Sequence, residues 1–416
     1  MTRKSFDFAI IGAGHAGAQA AAGIRQVDQD SSIALFGDER HLPYERPILS
    51  KQGLKNPRQL TTHYKHDRPY YDAKRIDLNL GVRVVRIDQE ARQITCSNGQ
   101  IVEFAKLIIA TGSRPRRLSG AEPAKSIVYL RTLDDAQVLS QRLEPNSRVA
   151  IIGGGFIGLE VAATAQALGC RVSVLEYASS ILARVLPACI ARPVKEHHEK
   201  HGIDIRTNAR ITRLAPIPSG AIQVESDVDG GRKVEVFDLI VVGVGVKPNT
   251  ELAQAAGLAV QDGLVVDEYG RTENPNIFGA GEVTNHPIFP SAKAARRESW
   301  QVAEFQAMAV GRTAAGQPTA FRETPWLWSD QGDLNIQILG HVAGDAEWVF
   351  RGDPDAGPAF CAFALAQDSV VGAVAMNAGR DVSGARRLIV SGCRIPKGQL
   401  ADKSVPIAHL LGKYSN

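Results

Sequence analysis

The chain has 416 residues, 44% of them hydrophobic and 22% charged, with a formal net charge of +4 and five cysteines. That is material for two or three domains with substantial cores, and the charge is scattered, so neither nucleic acid nor an anionic membrane is implied as a partner. Cys96, Cys170, Cys189, Cys361 and Cys393 make no CxxC pair, and no stretch reaches the roughly 18 apolar residues of a membrane helix. A disulfide framework, an iron–sulfur cluster and a thiol relay are therefore not expected; a cytoplasmic enzyme is.

Thr2-Arg-Lys4 before the alanine-rich stretch from Phe8 to Ile24 superficially resembles a secretory leader, but Asp7 and a glycine fingerprint inside that stretch predict a strand and a helix instead. The strand is Phe8-Ala-Ile-Ile11 and the fingerprint Gly12-Ala-Gly14-His-Ala-Gly17. In such a motif the first Gly permits a tight turn, the second lets the backbone approach a pyrophosphate, and the third lets helix pack on strand. The helix N-terminus draws the negative charge. A strand from Ile33 to Phe36 follows, then Val82 to Ile87 and Arg92 to Cys96 alternating into a hairpin at Asn98-Gly99, and a strand from Lys106 to Gly112.

After a Pro- and Arg-rich crossing from Ser113 to Pro123 the plan repeats. Val149-Ala-Ile-Ile152 leads into Gly153-Gly-Gly155-Phe-Ile-Gly158, Arg171 to Glu176 is a second strand, Ala221 to Val228 runs into Asp229-Gly-Gly231, and Asp238 to Gly245 closes the unit. The duplication is one of architecture, with a small antiparallel layer beside each parallel sheet. Beyond Gly245-Val-Lys-Pro-Asn249, short strands from Gly263 to Glu298 and a helix from about Arg296 to Val310 have no fingerprint of their own and are assigned back to the first domain. From Pro325 onward, Trp326 to Trp328, Leu334 to Leu339 and Ala346 to Phe350 predict a third domain. The expected class is α/β: two Rossmann-like dinucleotide-binding domains, residues 1–113 with 246–322 and residues 114–245, plus a C-terminal α+β domain, residues 323–416.

Two fingerprints in one chain imply two dinucleotides that can exchange electrons. Glu176, at the end of its strand, is placed to accept both ribose hydroxyls and to repel a 2′-phosphate, which favours NADH, although Arg184 downstream could serve a phosphate. The equivalent spot in the first unit is Gly37, followed by Asp38 and Glu39. Glu160 falls in the first turn of the second fingerprint helix, where it crowds the pyrophosphate end, so a positive group should face it; Lys51 is the candidate, which no periodicity identifies. His197, His198 and His201 have no Cys or carboxylate at ligand spacing, so they are expected on a solvated helix face and no metal is expected. His15 is expected to line the first turn.

Several segments together resemble the FAD-dependent ferredoxin reductases of bacterial aromatic-ring dioxygenase and cytochrome P450 systems, which share the glutathione-reductase-like fold. They are Tyr44-Glu-Arg-Pro-Ile-Leu-Ser-Lys51, Ala110-Thr-Gly112, Tyr129-Leu-Arg-Thr-Leu-Asp-Asp135, Gly158-Leu-Glu160, Gly243-Val-Gly-Val-Lys-Pro-Asn249, Phe278-Gly-Ala-Gly-Glu282, Glu298-Ser-Trp300 and Pro325-Trp-Leu-Trp-Ser-Asp-Gln331. The tail from Asn377 to Pro406 leans toward the phenylpropionate- and anthranilate-type dioxygenase reductases. The resemblance implies that Gly12, Gly14, Ala16 and Gly17 hold the FAD pyrophosphate, Asp38 its ribose and Val84 the adenine side. Arg46, Thr111, Gly112 and Arg131 would line the rest, Glu282 would reach the ribitol and Trp300 the isoalloxazine. Lys51 would lie near flavin N5 and pair with Glu160. Gly153, Gly155, Ile157, Gly158, Glu160, Glu176, Arg184 and Gly245 would meet NADH. Glu282 replaces the family's usual Asp, and Ile48 its usual second Pro.

In that scheme Lys51, Glu160 and Trp328 carry the catalytic work. Trp326 and Trp328 share a face of an extended segment, and Trp328 is favoured as the aromatic beside the flavin. The implied partner is a [2Fe-2S] ferredoxin, Rieske or plant/adrenodoxin type, which Arg116, Arg117, Arg296 and Arg297 could help steer; no feature sets an oligomeric state. An NADH oxidase or peroxidase of the same fold is an alternative, but those usually need a redox cysteine near Lys51 and none precedes Cys96. An apoptosis-inducing-factor-like interaction protein controlled by FAD and NADH is a second alternative.

Overall fold

The computed structural model describes residues 3–118, 124–342 and 346–414, so the end of the Ser113–Pro123 crossing lies outside the described residues. By its contacts the chain divides into two compact units. The first comprises Met1–Pro47, Thr61–Arg114 and Val246–Glu323; the second comprises Ile48–Leu60, Pro115–Gly245 and Thr324–Asn416. Segment 48–60, which the sequence division leaves in the first domain, thus packs in the second unit, where residues 115–245 and 324–416 cluster together.

In the first unit the strand Arg3–Ile11 lies between Ile33–Gly37 and Ile101–Ile109, all parallel, and Ile76–Leu80 continues the parallel run beyond Ile33–Gly37. Side chains alternate across this sheet: Phe8 and Ile10 enter one apolar cluster, Ala9 and Ile11 the other, and both faces are covered. The strand Ile101–Ile109 uses its far edge twice. Ile101–Glu103 pairs antiparallel with Gln93–Thr95, while Leu107–Ile109 pairs parallel with Ile277–Gly279, which draws the late segment into this sheet. The Asn98-Gly99 turn therefore joins Gln93–Cys96 to Ile101–Ile109, whereas the hairpin with Val84–Asp88 turns earlier, between Asp88 and Gln93. The fingerprint helix His15–Val27 packs on Ala307–Ala314 at backbone range, since a Cβ on Gly23 or Gly311 would strike the other helix's carbonyls. The late helix begins at Trp300 and not at Arg296, because Lys293–Arg296 is held in antiparallel pairing with Asn285–Ile288.

In the second unit a parallel sheet runs Asp204–Arg206, Arg171–Leu175, Arg148–Ile152, Leu239–Val242, Ile127–Tyr129. Its order around the fingerprint strand repeats that of the first unit. Beside it, Ala209–Pro216, Ile222–Val228 and Gly231–Phe237 form an antiparallel layer whose second turn is made by Asp229 and Gly230, both at positive φ, the geometry of a tight hairpin turn. The C-terminal region is an antiparallel five-stranded sheet with Trp326–Gln331 at one edge and the helix Gly379–Ser391 packed against Ser369–Met376.

Candidate functional site

Both fingerprint turns are built alike. Gly12 and Gly153 have φ of 114° and 107°, and a Cβ on either would strike a carbonyl of the adjoining strand end, Ala110 O or Gly243 O. A Cβ on Gly17 or Gly158 would strike the carbonyl of Gly12 or Gly153, so helix and turn are in backbone contact. Gly14 and Gly155 differ from these. Around Gly155 an added Cβ finds nothing within 4 Å, and around Gly14 only Arg46 Nη2 at 3.9 Å. Open space before a helix N-terminus is what an approaching pyrophosphate requires, so each turn fits a dinucleotide.

In the first unit Ala16 touches the loop that carries Glu282: a Cβ on Gly281 would come within 2.5 Å of the Ala16 methyl, and Gly281 N–H donates to Gln306 Oε1 at 2.6 Å. The Glu282 charge acts on Arg46, whose guanidinium donates to Glu39 Oε1 at 2.8 Å and to the Tyr44 hydroxyl at 3.3 Å. Asp38, just beyond Gly37, is exposed and pairs with Arg83 at 3.1 Å. The Val84 side chain lies in the core, so any contact with an adenine falls to its backbone. Thr111 Oγ1 donates to Asn249 O and Asn249 Nδ2 donates to Thr111 O, which locks the turn ahead of Gly112. Arg131 belongs to the second unit, where its backbone N–H caps onto Asp135.

Trp300 stands edge-on to His15, with ring centroids 5.6 Å apart, and Lys65 Nζ lies 5.9 Å from its ring. His15 is more than a turn-lining residue. Its Nε2 lies 2.5 Å from Glu304 Oε2, and the same carboxylate accepts from Gln19 Nε2 at 2.7 Å and Lys65 Nζ at 2.8 Å. Glu304 comes from a π-helical turn, Val302–Gln306, a widening of the helix often found at functional sites. Burial works against the Glu304 carboxylate, but the bonds from His15 and Lys65 outweigh it and hold its pKa down at about 2.

In the second unit Lys51 and Glu160 meet. Lys51 Nζ lies 3.4 Å from Glu160 Oε1, 3.2 Å from Asp330 Oδ2 and 5.7 Å from the centre of the Trp328 ring. Glu160 is only 4% exposed and also accepts from Ser50 Oγ and, at 2.6 Å, from Ser329 Oγ. Thr164, one turn along the helix Phe156–Ala167, donates to Ser50 O and so fastens the Lys51 segment to that helix. Burial pushes the Glu160 pKa above the ordinary glutamate range against the pull of Lys51, Ser329 and Ser50. Trp326 and Trp328 share a face, as strand alternation requires, and stack with centroids 4.9 Å apart. Ile157 is exposed beside the open Gly155. Glu176 accepts from Gly154 N–H at 2.6 Å and Ala178 N–H at 2.7 Å, which aims its carboxylate at the turn. The Arg184 guanidinium packs over Gly245, 3.2 Å from where a Cβ would stand.

The histidines correct the sequence expectation. Asp333, remote in sequence, brings its Oδ1 within 2.9 Å of His197 Nε2, and with His201 the three offer ligand atoms within 4.8 Å of one another. His198 is not on the solvated face: it is 1% exposed and hydrogen-bonded to Gln331. Ser50, Ser329, Asp330 and Gln331 all lie inside motifs quoted from the sequence, yet no local pattern marks them as Glu160's neighbours.

Residues 6–307 match the pyridine nucleotide-disulphide oxidoreductase family and residues 326–411 the reductase C-terminal family. The chain is 43% identical over 406 residues to the anthranilate 1,2-dioxygenase system ferredoxin–NAD(+) reductase component of Burkholderia cepacia, covering 97% of this chain and 99% of that protein. Among solved structures it is similar to the ferredoxin reductase for the CYP199A2 system from Rhodopseudomonas palustris, with a TM-score of 0.91, 36% identity and coverage of 98% and 99%. It is also similar to the reductase in the covalent putidaredoxin reductase–putidaredoxin complex, with a TM-score of 0.92, 31% identity and coverage of 98% and 99%.

Proposed function

The chain belongs to the pyridine nucleotide-disulphide oxidoreductase family, and on that premise we propose that it is the FAD-dependent ferredoxin–NAD(+) reductase of a ring-hydroxylating dioxygenase system. The observation that carries this function is the pair of open glycine cradles in a chain whose five cysteines are all unpaired. Two dinucleotide seats and no dithiol suit a flavoprotein that hands electrons from NADH to another protein. The acceptor is a [2Fe-2S] ferredoxin, in keeping with the partner named in the putidaredoxin complex. Bound FAD supplies what no side chain here can, accepting a hydride and releasing electrons singly.

Residues 1–113 with 246–322, apart from segment 48–60 that packs in the second unit, are assigned to FAD, 114–245 to NADH and 323–416 to the C-terminal domain. Gly12, Gly14, Ala16 and Gly17 admit the FAD pyrophosphate; Arg46, Thr111, Gly112, Glu282 and Trp300 line the rest, with Asp38 toward the ribose. Gly153, Gly155, Ile157 and Gly158 admit NADH, Glu176 reads its ribose, and Arg184 and Gly245 close that side. Lys51 would supply a positive charge to stabilise the reduced cofactor, and Glu160, 3.4 Å away, holds Lys51 in place. Trp328 takes its place beside them on the route outward. Among the described residues no helix is long and apolar enough to cross a membrane, and the protein works in the cytoplasm.

The test is to add NADH anaerobically to the yellow protein and titrate candidate [2Fe-2S] ferredoxins, with cytochrome c as final acceptor. Reduction of cytochrome c that rises with one ferredoxin is expected. A rate that stays at the ferredoxin-free baseline with every candidate, or fast NADH consumption driven by peroxide alone, contradicts the assignment.

A further inference from the structure

Behind Glu160 runs an unbroken file of buried polar side chains that none of these roles requires. His198, Gln331 and Ser329 are each 1% exposed or less. His198 Nε2 meets Gln331 Oε1 at 2.7 Å, Gln331 Nε2 donates to Ser329 Oγ at 3.1 Å, and Ser329 Oγ donates to Glu160 Oε1 at 2.6 Å. The ends of the file stand on two helices, Phe156–Ala167 and Ala188–Lys200. Its middle comes from the edge strand Trp326–Gln331, where alternation puts Ser329 and Gln331 on one face and Trp328 and Asp330 on the other. Each of these groups is costly to bury unless its neighbour answers it, so the members of the file depend on one another.

The file has a direction. Ser329 has one hydroxyl proton, and an ionised Glu160 claims it. Ser329 Oγ then accepts, so Gln331 turns its amide nitrogen toward Ser329 and its carbonyl toward His198, which must carry its proton on Nε2. Every donor points at Glu160. Were Glu160 protonated and donating to Ser329, each link would reverse. Burial keeps His198 neutral, which suits it to either orientation.

We infer that Ser329, Gln331 and His198 are positioning residues that hold the Glu160 carboxylate ionised and aimed at Lys51, tying the NADH-facing helix to the strand that bears Trp328. The inference rests on the assignment of Glu160 and Lys51 to the reaction. Besides the file, Glu160 faces Lys51, with Asp330 beyond it, and Ser50 from the Lys51 segment; the charges around His198 are those of His197, His201 and Asp333.

Infrared pH titration of the holoenzyme reads the carboxylic C=O stretch of protonated Glu160, identified by its loss in Glu160→Gln, and stopped-flow bleaching by NADH gives the acid limb of turnover. In Ser329→Ala the midpoint of that band should rise by about one pH unit, the worth of one lost donor. It should rise less in Gln331→Leu and least in His198→Phe, and the acid limb should move with it. His198→Gln, which offers an amide N–H in place of Nε2–H, should restore the native midpoint. FAD content and circular dichroism establish which variants fold. Native midpoints in the folded variants overturn the inference; if the strand variants do not fold, equal midpoints for His198→Phe and His198→Gln overturn it. Native bleaching in Glu160→Gln would instead overturn the assignment of Glu160, whatever the band does.

Discussion

The two glycine turns have the same backbone and opposite surroundings. Around the first, three donors converge on Glu304 and hold it ionised far below the ordinary glutamate range, with Trp300 packed on His15. Around the second, Glu160 is pressed the other way by burial, and its partner Lys51 is shared with Asp330. The charge on Glu304 is secured by its donors, whereas that on Glu160 is kept against burial by Lys51, Ser50 and Ser329. The two turns are alike in backbone, and residues far away in sequence make their surroundings differ.

The largest effect is expected at the second seat. Lys51→Ala should slow anaerobic FAD reduction by NADH by about a hundredfold or more, the scale of losing one preorganised charge, while FAD stays bound; stopped-flow absorbance reads both, and native reduction would remove Lys51 from the reaction. At the first seat Glu304→Gln should cost roughly 3 kcal/mol in denaturant unfolding at neutral pH, because it takes from the largely buried Lys65 its nearest counter-charge. The sign of the pH dependence follows from Glu304's depressed pKa of about 2 against 4.5 for a free glutamate. Its stabilisation is complete above about pH 4.5 and is lost as pH falls toward 2, so wild type and variant should converge in acid. Parallel curves would show that Glu304 is not the group held ionised.

Smaller effects separate the outer parts of the second unit. Glu176→Ala should weaken NADH by about tenfold, the worth of a charge-assisted hydrogen bond, and narrow the preference over NADPH; an unaltered preference would place ribose recognition elsewhere. Trp328→Phe should lower ferredoxin-dependent cytochrome c reduction by roughly threefold, on the scale of its contact with Lys51, and leave NADH-driven bleaching near native. A loss confined to bleaching would remove Trp328 from the outward route.

What the sequence disclosed and what it concealed follow from range. The fingerprints, their strands and the parallel sheets are local patterns, and the first unit's late strand Ile277–Gly279 could be placed because it had no fingerprint of its own. No periodicity identifies Lys51, and its pairing with Glu160 rests on the family resemblance, since nothing local links the two. Ser329 and Gln331 stayed hidden because polar residues on an edge strand look solvated until a helix is known to cover them. The burial of His198 is hidden for the same reason: its acceptor, Gln331, is remote in sequence. The π-helical turn that delivers Glu304 has no sequence signature, and the strand preceding it shifted the helix start from Arg296 to Trp300.

The inequality of the two seats is tested most directly by filling each open cradle in turn. Gly14→Val and Gly155→Val are purified, scanned for bound FAD, and mixed anaerobically with NADH and then dithionite. Gly14→Val should emerge colourless. Gly155→Val should emerge yellow, resist bleaching by NADH and bleach normally with dithionite. A Gly155→Val protein that lacks FAD beside a Gly14→Val protein that keeps it would contradict the account.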